Sequence, residues 1–245
     1  SRMMSRREFN RLLAAGTAAG AAVPRAACSA MGGPSEDGRP NIVLIMADDA
    51  GFSDFGCTGG EIETPHIDSL ARDGMSFSQF YNAAKCCPTR AATMTGLYAP
   101  QVGIGHMVDD VLVAGSDQYP AYRGVLNDRC MTVASALQQA GYNTCMSGKW
   151  HVGSERPNWP CDRGFDHYYG LIDGAANYWD VVNGYKAPYL PEEYIRTTVR
   201  DNTRFVYDYG DYYMTDAFTD NALHYLDHCG RRPEPFFLYL AYTAP

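Results

Sequence analysis

After residue 23 the chain contains no apolar run long enough to cross a bilayer, so no stable membrane span is expected there. It has no internal repeat and no low-complexity run beyond its first thirty residues, which argues against a solenoid or array. It has no excess of positive charge either: 20 Lys and Arg against 28 Asp and Glu leave a net charge of −8. That balance argues against a broad nucleic-acid surface, so no nucleic-acid partner is expected, yet it leaves room for a local cationic pocket around an anionic substrate. What is present is ordinary for a globular protein: 245 residues, 46% hydrophobic and 20% charged, enough for one sizeable α/β domain or two small ones.

The N-terminus reads as a targeting segment. Ser5-Arg6-Arg7-Glu8-Phe9 is a twin-arginine signal, and the uncharged Ala/Gly-rich stretch Leu12–Val23 follows it. Residues 1–30 are therefore expected to be a leader recognised by the twin-arginine translocase, and residues 31–40 a linker. The protein is expected in the periplasm or outside the cell. Cys28 stands where a lipid anchor is sometimes attached, but Arg25 occupies a position that wants an aliphatic residue, so anchoring is not expected. There are eight cysteines. An exported protein can pair them, but the sequence leaves the pairing open.

From residue 41 the pattern is α/β. Asn41–Met46 is a continuous apolar run rich in β-branched residues, as in a strand buried on both faces, and Asp48 and Asp49 follow it directly. Ligand sites in open α/β sheets gather at the carboxyl ends of strands, so the two carboxylates are a candidate hard-cation site; a bare Asp-Asp also serves as a turn or helix cap. Thr64-Pro65 opens a helix with Ile67, Leu70 and Ala71 on one face and Gly74 at its end. Phe77–Tyr81 reads as a strand. Thr132 caps a helix that turns Val133, Ala136, Leu137 and Ala140 inward, and Tyr142–Met146 is a further strand. Ser147–Gly153 then follows in extended form, which puts Lys149 and His151 on one side and pairs a cation with a group that titrates near neutrality. Residues 154–213 read as long loops, Thr215 starts a helix with Phe218, Ala222, Leu223 and Leu226 inward, and Pro235–Tyr242 is a last strand.

Cys86-Cys87-Pro88-Thr89-Arg90-Ala91-Ala92-Thr93-Met94-Thr95-Gly96 carries the most chemistry. Pro88 suits a first helical turn and Gly96 a stop, so Cys86 is expected just before a helix N-terminus, where unpaired N–H groups favour negative charge. Arg90, one turn in, adds a planar donor fork suited to oxyanions. A nucleophile among anion-stabilising groups is what hydrolysis of a sulfate or phosphate ester requires, although a lone Cys-x-Pro-x-Arg also fits a plain cysteine pair at a helix cap.

Taken in order, Asn41–Asp54, Gly59-Gly60-Glu61, Thr64–Asp68, Cys86–Gly96, Gly103–Met107, Gly148–Gly153, Gly164-Phe165, Gly174–Asn177 and Pro235–Pro245 resemble the N-terminal half of an arylsulfatase of the sulfatase family. The resemblance covers most of residues 40–245. It implies an α/β fold of the alkaline-phosphatase-like type, a large mixed β-sheet sandwiched between helices, cut short at the C-terminus. It also implies hydrolysis of aryl or carbohydrate sulfate esters.

Carried over residue by residue, Asp48 and Asp49 resemble calcium ligands, Ca²⁺ being expected in preference to Mg²⁺. Cys86 resembles the precursor of formylglycine, made by a formylglycine-generating enzyme, whose hydrate oxygen also touches the metal. Arg90 would stabilise the hydrated aldehyde, Lys149 would contact sulfate oxygens, and His151 would hold a hydroxyl of the hydrate and act as base. In the mechanism that the resemblance implies, one hydrate hydroxyl would attack sulfur and expel the alcohol or phenol. The second would then lose its proton, and sulfate would leave as the aldehyde returned. Twin-arginine export carries folded proteins, so the conversion of Cys86 can precede it.

Cys87 beside Cys86 is less usual for the family, and a Cys86–Cys87 disulfide would block that conversion. Some members of the fold are phosphodiesterases or phosphonate monoester hydrolases with the same cysteine signature, and a sulfated-glycan binder with a broken site is a third reading. A histidine after Pro245, a second metal-ligand pair and another lysine are expected beyond the residues present, so the chain reads as incomplete.

Overall fold

The computed structural model describes residues 38–108, 118–181, 198–205 and 212–245. The expected leader, residues 1–30, and residues 31–37 of the linker lie outside the described residues.

Six strands form one mixed sheet: β1 (Ile42–Met46), β2 (Asn143–Gly148), β3 (His167–Leu171), β4 (Thr198–Arg200), β5 (Thr203–Phe205) and β6 (Phe236–Ala241), in the order β1-β6-β2-β3-β4-β5. β1, β6, β2 and β3 run parallel, and β4 and β5 are added antiparallel. The helices are α1 (Pro65–Asp73), α2 (Cys86–Thr95), α3 (Val133–Gln139) and α4 (Met214–Cys229).

β6 is buried along its whole length, and its alternation divides the core. Phe237 and Tyr239 join a cluster with Cys87, Ala91 and Met94 of α2. Phe236, Leu238 and Leu240 join a second cluster on the other face with Phe218, Ala222 and Tyr225 of α4. β6 is thus covered on both sides, as the apolar run of a central parallel strand requires, whereas β1, expected to be buried on both faces, lies at the edge of the described sheet with Val43 and Ile45 exposed.

The register matters most for function. Met46 is opposite Ala241, and Ala241 is opposite Gly148, so β1, β6 and β2 all end at one edge. Whatever follows each of them emerges at the same place.

Several expectations change. Phe77–Tyr81 is not a strand: Phe77, Phe80 and Tyr81 are exposed and join no sheet among the described residues, and Phe77 and Phe80 form a tilted pair with centroids 6.2 Å apart. α1 starts at Pro65 and stops before Gly74 as expected, but Ile67 and Leu70 stay exposed. It is fastened by polar bonds instead: Asp68 Oδ1 accepts from the Thr64 hydroxyl (2.8 Å) and from the Cys57 amide (2.7 Å).

α3 is capped by Thr132, which accepts from the Ser135 amide, but it buries Ala134 while Ala136 and Ala140 are exposed. The hydroxyls of Thr132 and Ser135 both donate to the Arg163 carbonyl, and that anchor sets the helix's rotation. Within 154–213, read as loops, lie β3, β4 and β5, two of them only three residues long. Cys86 is the first residue of α2, with Lys85 as its N-cap, one position from the expected boundary.

Candidate active site

The shared edge of β1, β6 and β2 collects the expected residues. Two positions beyond β1, the amide of Asp48 donates to the carbonyl of Ala244 at 3.0 Å, which pins the end of β1 to the chain leaving β6. Asp49 adopts a left-handed φ of 59°, a conformation that aspartate tolerates better than most residues. Asp48 is buried and Asp49 exposed, so the turn runs from the core to the rim.

α2 brings Cys86 over this edge. The nearest donor atoms of Asp48, Asp49 and Cys86 all lie within 4.8 Å of one another. Among the described residues this is the one group of three or more acidic, histidine or cysteine side chains so arranged.

Arg90 is 1% exposed and reaches all three strand ends. Its guanidinium donates to the Lys149 carbonyl at 2.8 Å, the Tyr242 carbonyl at 3.0 Å and the Tyr239 hydroxyl at 3.4 Å, and it lies 3.4 Å from Asp48 Oδ2. Its Nε is buried with no hydrogen-bond partner among the described residues. Lys149, also buried, donates its ammonium to the same Asp48 oxygen. One buried carboxylate thus meets two buried cations, an arrangement that removal of one partner disrupts strongly.

Lys149 reaches this position because β2 ends on Gly148 at φ 119°. A side chain there would drive into the Ala241 carbonyl, the acceptor for the Lys149 amide at 2.8 Å. The chain does not continue as a simple extended strand: His151 takes a φ of 57°, and Trp150 and His151 donate their amides to the carbonyls of Leu171, which ends β3, and Ile172, which follows it. Lys149 and His151 are therefore both buried through a left-handed turn and not through strand alternation. The His151 ring packs directly on Gly174, and its Nε2 lies 3.3 Å from Cys87 Sγ.

Burial holds the Cys86 thiol above the usual cysteine pKa; the Lys149 ammonium pulls the other way and the Asp48 carboxylate adds to the rise. An unmodified Cys86 is thus a thiol at neutral pH and a weak nucleophile. Neither Cys86 nor Cys87 is in a disulfide; Cys87 Sγ donates to Met107 Sδ at 3.8 Å and accepts from the Val108 amide.

Sequence reasoning placed Asp48, Asp49, Cys86, Arg90, Lys149 and His151, and the structure gathers the first five around Asp48, with His151 joined through Cys87. It missed Tyr239, whose hydroxyl meets Arg90 and points from an otherwise apolar strand. It also missed Gly174 as the floor under His151. A tyrosine at an inward position of a buried strand was the one available signal for the former.

A cysteine at a helix start, two carboxylates and two buried cations thus meet at the carboxyl ends of the parallel strands of a mixed α/β sheet. Residues 40–245 match the family model described as Sulfatase, and the chain belongs to that family. It is 34% identical over 208 residues to an arylsulfatase of Klebsiella aerogenes, a match covering 84% of this chain and 43% of that protein.

Among solved structures it resembles Ps i-CgsB in complex with k-i-k-neocarrahexaose, with a TM-score of 0.70, 35% identity and coverage of 84% of this chain and 45% of that one. It also resembles BT4656 in complex with its substrate D-glucosamine-2-N,6-O-disulfate, with a TM-score of 0.62, 29% identity and coverage of 84% and 35%. The fold is accordingly the alkaline-phosphatase-like one expected, and the chain spans less than half the length of these relatives. No described helix is long and apolar enough to cross a membrane.

Proposed function

We propose that the protein hydrolyses sulfate esters of carbohydrates or phenols, with Cys86 converted to formylglycine and Asp48 and Asp49 holding Ca²⁺. The observation that carries this is the meeting of Asp48, Asp49 and Cys86 within 4.8 Å beside buried Lys149 and Arg90. Two carboxylates suit a hard cation, whereas a thiol suits it badly; an oxygen at position 86 would give three matching donors. The raised thiol pKa points the same way, since cysteine itself gains nothing as a nucleophile here. When bound, Ca²⁺ supplies positive charge next to the nucleophile and the sulfate.

The chain's own residues do the rest. Asp48 and Asp49 fix the cation at the end of β1. Lys149 neutralises a sulfate oxygen, and its contact with Asp48 keeps the ammonium directed. Arg90 holds three strand ends in register, and its remaining Nε donor serves a hydroxyl built on residue 86, one turn away. His151 moves a proton at the leaving or collapsing oxygen through Nε2, which faces Cys87 at the same helix start. Carbohydrate sulfates are favoured as the substrate class because BT4656 is described with a sulfated sugar as its substrate.

We further infer a leader at residues 1–30, a linker at 31–40 and a catalytic portion at 41–245, with export through the twin-arginine translocase. The formylglycine-generating enzyme is the maturation partner.

The test is the full-length protein produced with and without a formylglycine-generating enzyme. Mass spectrometry of the Cys86 peptide should show formylglycine only in the first preparation. Nitrophenyl sulfate should be cleaved only by that preparation, and faster than a nitrophenyl phosphodiester. Equal sulfatase activity from protein with unmodified Cys86 would overturn the proposal, and faster diester cleavage would move the assignment to phosphodiesters.

A further inference from the structure

Cys145 and Cys229 have no part in the site. Cys145 lies in β2 and Cys229 is the last residue of α4. Their sulfurs are 3.5 Å apart, and the two residues are 1% and 2% exposed. They belong to the cluster on the α4 face of the sheet, whereas Cys87 of the site lies in the cluster on the α2 face. No described histidine or carboxylate completes a metal site with them, since the sole such group is Asp48, Asp49 and Cys86. We propose that Cys145 and Cys229 are a disulfide-forming pair that locks α4 to β2 when the protein meets an oxidising medium.

The geometry needs little change. Closing the gap to a bond length of about 2.05 Å moves each sulfur by about 0.7 Å, within reach of side-chain rotation. The two thiols share one hydrogen bond, and that contact together with Arg232 lowers the Cys229 pKa. Its place at the end of the helix makes Cys229 the attacking sulfur. It sits in the final turn of its helix, the part that opens most readily.

Given a small disulfide as oxidant, the Cys229 thiolate attacks one of its sulfurs and expels a thiolate. The Cys145 thiolate then attacks the mixed disulfide at Cys229 and expels the second. Two protein thiols lose two protons and two electrons, and the oxidant's sulfur–sulfur bond is reduced to two thiols.

The bond would close a loop with a sequence separation of 84 residues. It would reinforce an interface already held at the other end of β2, where the Ser147 hydroxyl donates to the Phe218 carbonyl at 2.7 Å. β2 delivers Lys149 and His151 to the site, so the pair fastens the strand that supports them. The inference stands on packing alone and does not depend on the reaction proposed above.

The experiment exposes the full-length protein to glutathione disulfide or to a phosphine reductant, then denatures it, alkylates it with iodoacetamide and maps the peptides. After oxidation, the peptides holding Cys145 and Cys229 should be found linked, with both sulfurs unlabelled. After reduction both should carry label, and Tm should fall by on the order of 10 °C. The Cys145→Ala and Cys229→Ala proteins should melt at temperatures that no longer respond to the reductant. Labelling of both cysteines after the oxidant, or a link from either to another cysteine, overturns the proposal. If a variant fails to fold, the peptide map of the unaltered protein decides by itself.

Discussion

Replacing Gly174 by alanine tests the placement of His151 with a single methyl group. A Cβ at 174 would lie 2.9 Å from His151 Nδ1 and closer still to Cε1 and Nε2. The imidazole must therefore retreat by about 1 Å to restore ordinary contact. It has little room, because its backbone is fixed in a left-handed turn bonded to Ile172 and its Nε2 is against Cys87. Overpacking of this kind costs about 1–3 kcal/mol of stability.

A displacement of about 1 Å in a group that moves a proton costs on the order of 10²-fold in rate. The assay is sulfate release by mature protein at saturating and limiting nitrophenyl sulfate, with thermal melting alongside. The expected result is a kcat lowered about 100-fold with KM within a few-fold of the parent, and a Tm lower by several degrees. Unchanged kcat with a lowered Tm would show that the ring moves without consequence and would remove His151 from the chemistry. Unchanged values for both would refute the packing argument itself.

Asp48→Asn should leave Lys149 and Arg90 buried without their shared counter-charge, costing about 3–5 kcal/mol in urea unfolding and abolishing calcium binding measured by calorimetry. Arg90→Lys keeps the charge but cannot bridge Lys149, Tyr239 and Tyr242 together, so a loss of about 2–4 kcal/mol is expected; a loss below about 0.5 kcal/mol would contradict the clamp. Cys161 is pushed up to about 12, chiefly by burial, so at pH 8.5 on the order of one molecule in 10³ or fewer carries its thiolate. Iodoacetamide at that pH should label exposed Cys57 well before Cys161, and should label both at similar rates in urea. Ser147→Ala should lower stability by about 1–2 kcal/mol, leaving the Phe218 carbonyl without its buried donor.

Long, uniform segments were legible in the sequence. Ile42–Met46 and Phe236–Ala241 are continuous apolar runs, and the ends of α2 and α3 follow from Gly96 and Thr132. β4 and β5 were not legible, since three-residue strands exist only because β3 offers an edge to pair with. Phe77–Tyr81 carries strand-forming residues, but no partner strand lies beside it among the described residues. Propensity was the same in both cases; the neighbour decided.

The site divides the same way. The residues themselves determined which groups could matter: a cysteine at a helix start, paired aspartates after a strand, a lysine and a histidine after another. Their spacing along the chain could not bring them together. That required the register aligning Met46, Ala241 and Gly148, because only hydrogen-bonded parallel strands put three distant segments at one edge. It also required folding to turn Arg90 into a clamp on backbone carbonyls, to put Gly174 under His151, and to set Cys145 beside Cys229 across 84 residues. Those contacts depend on packing between elements, which local sequence does not encode.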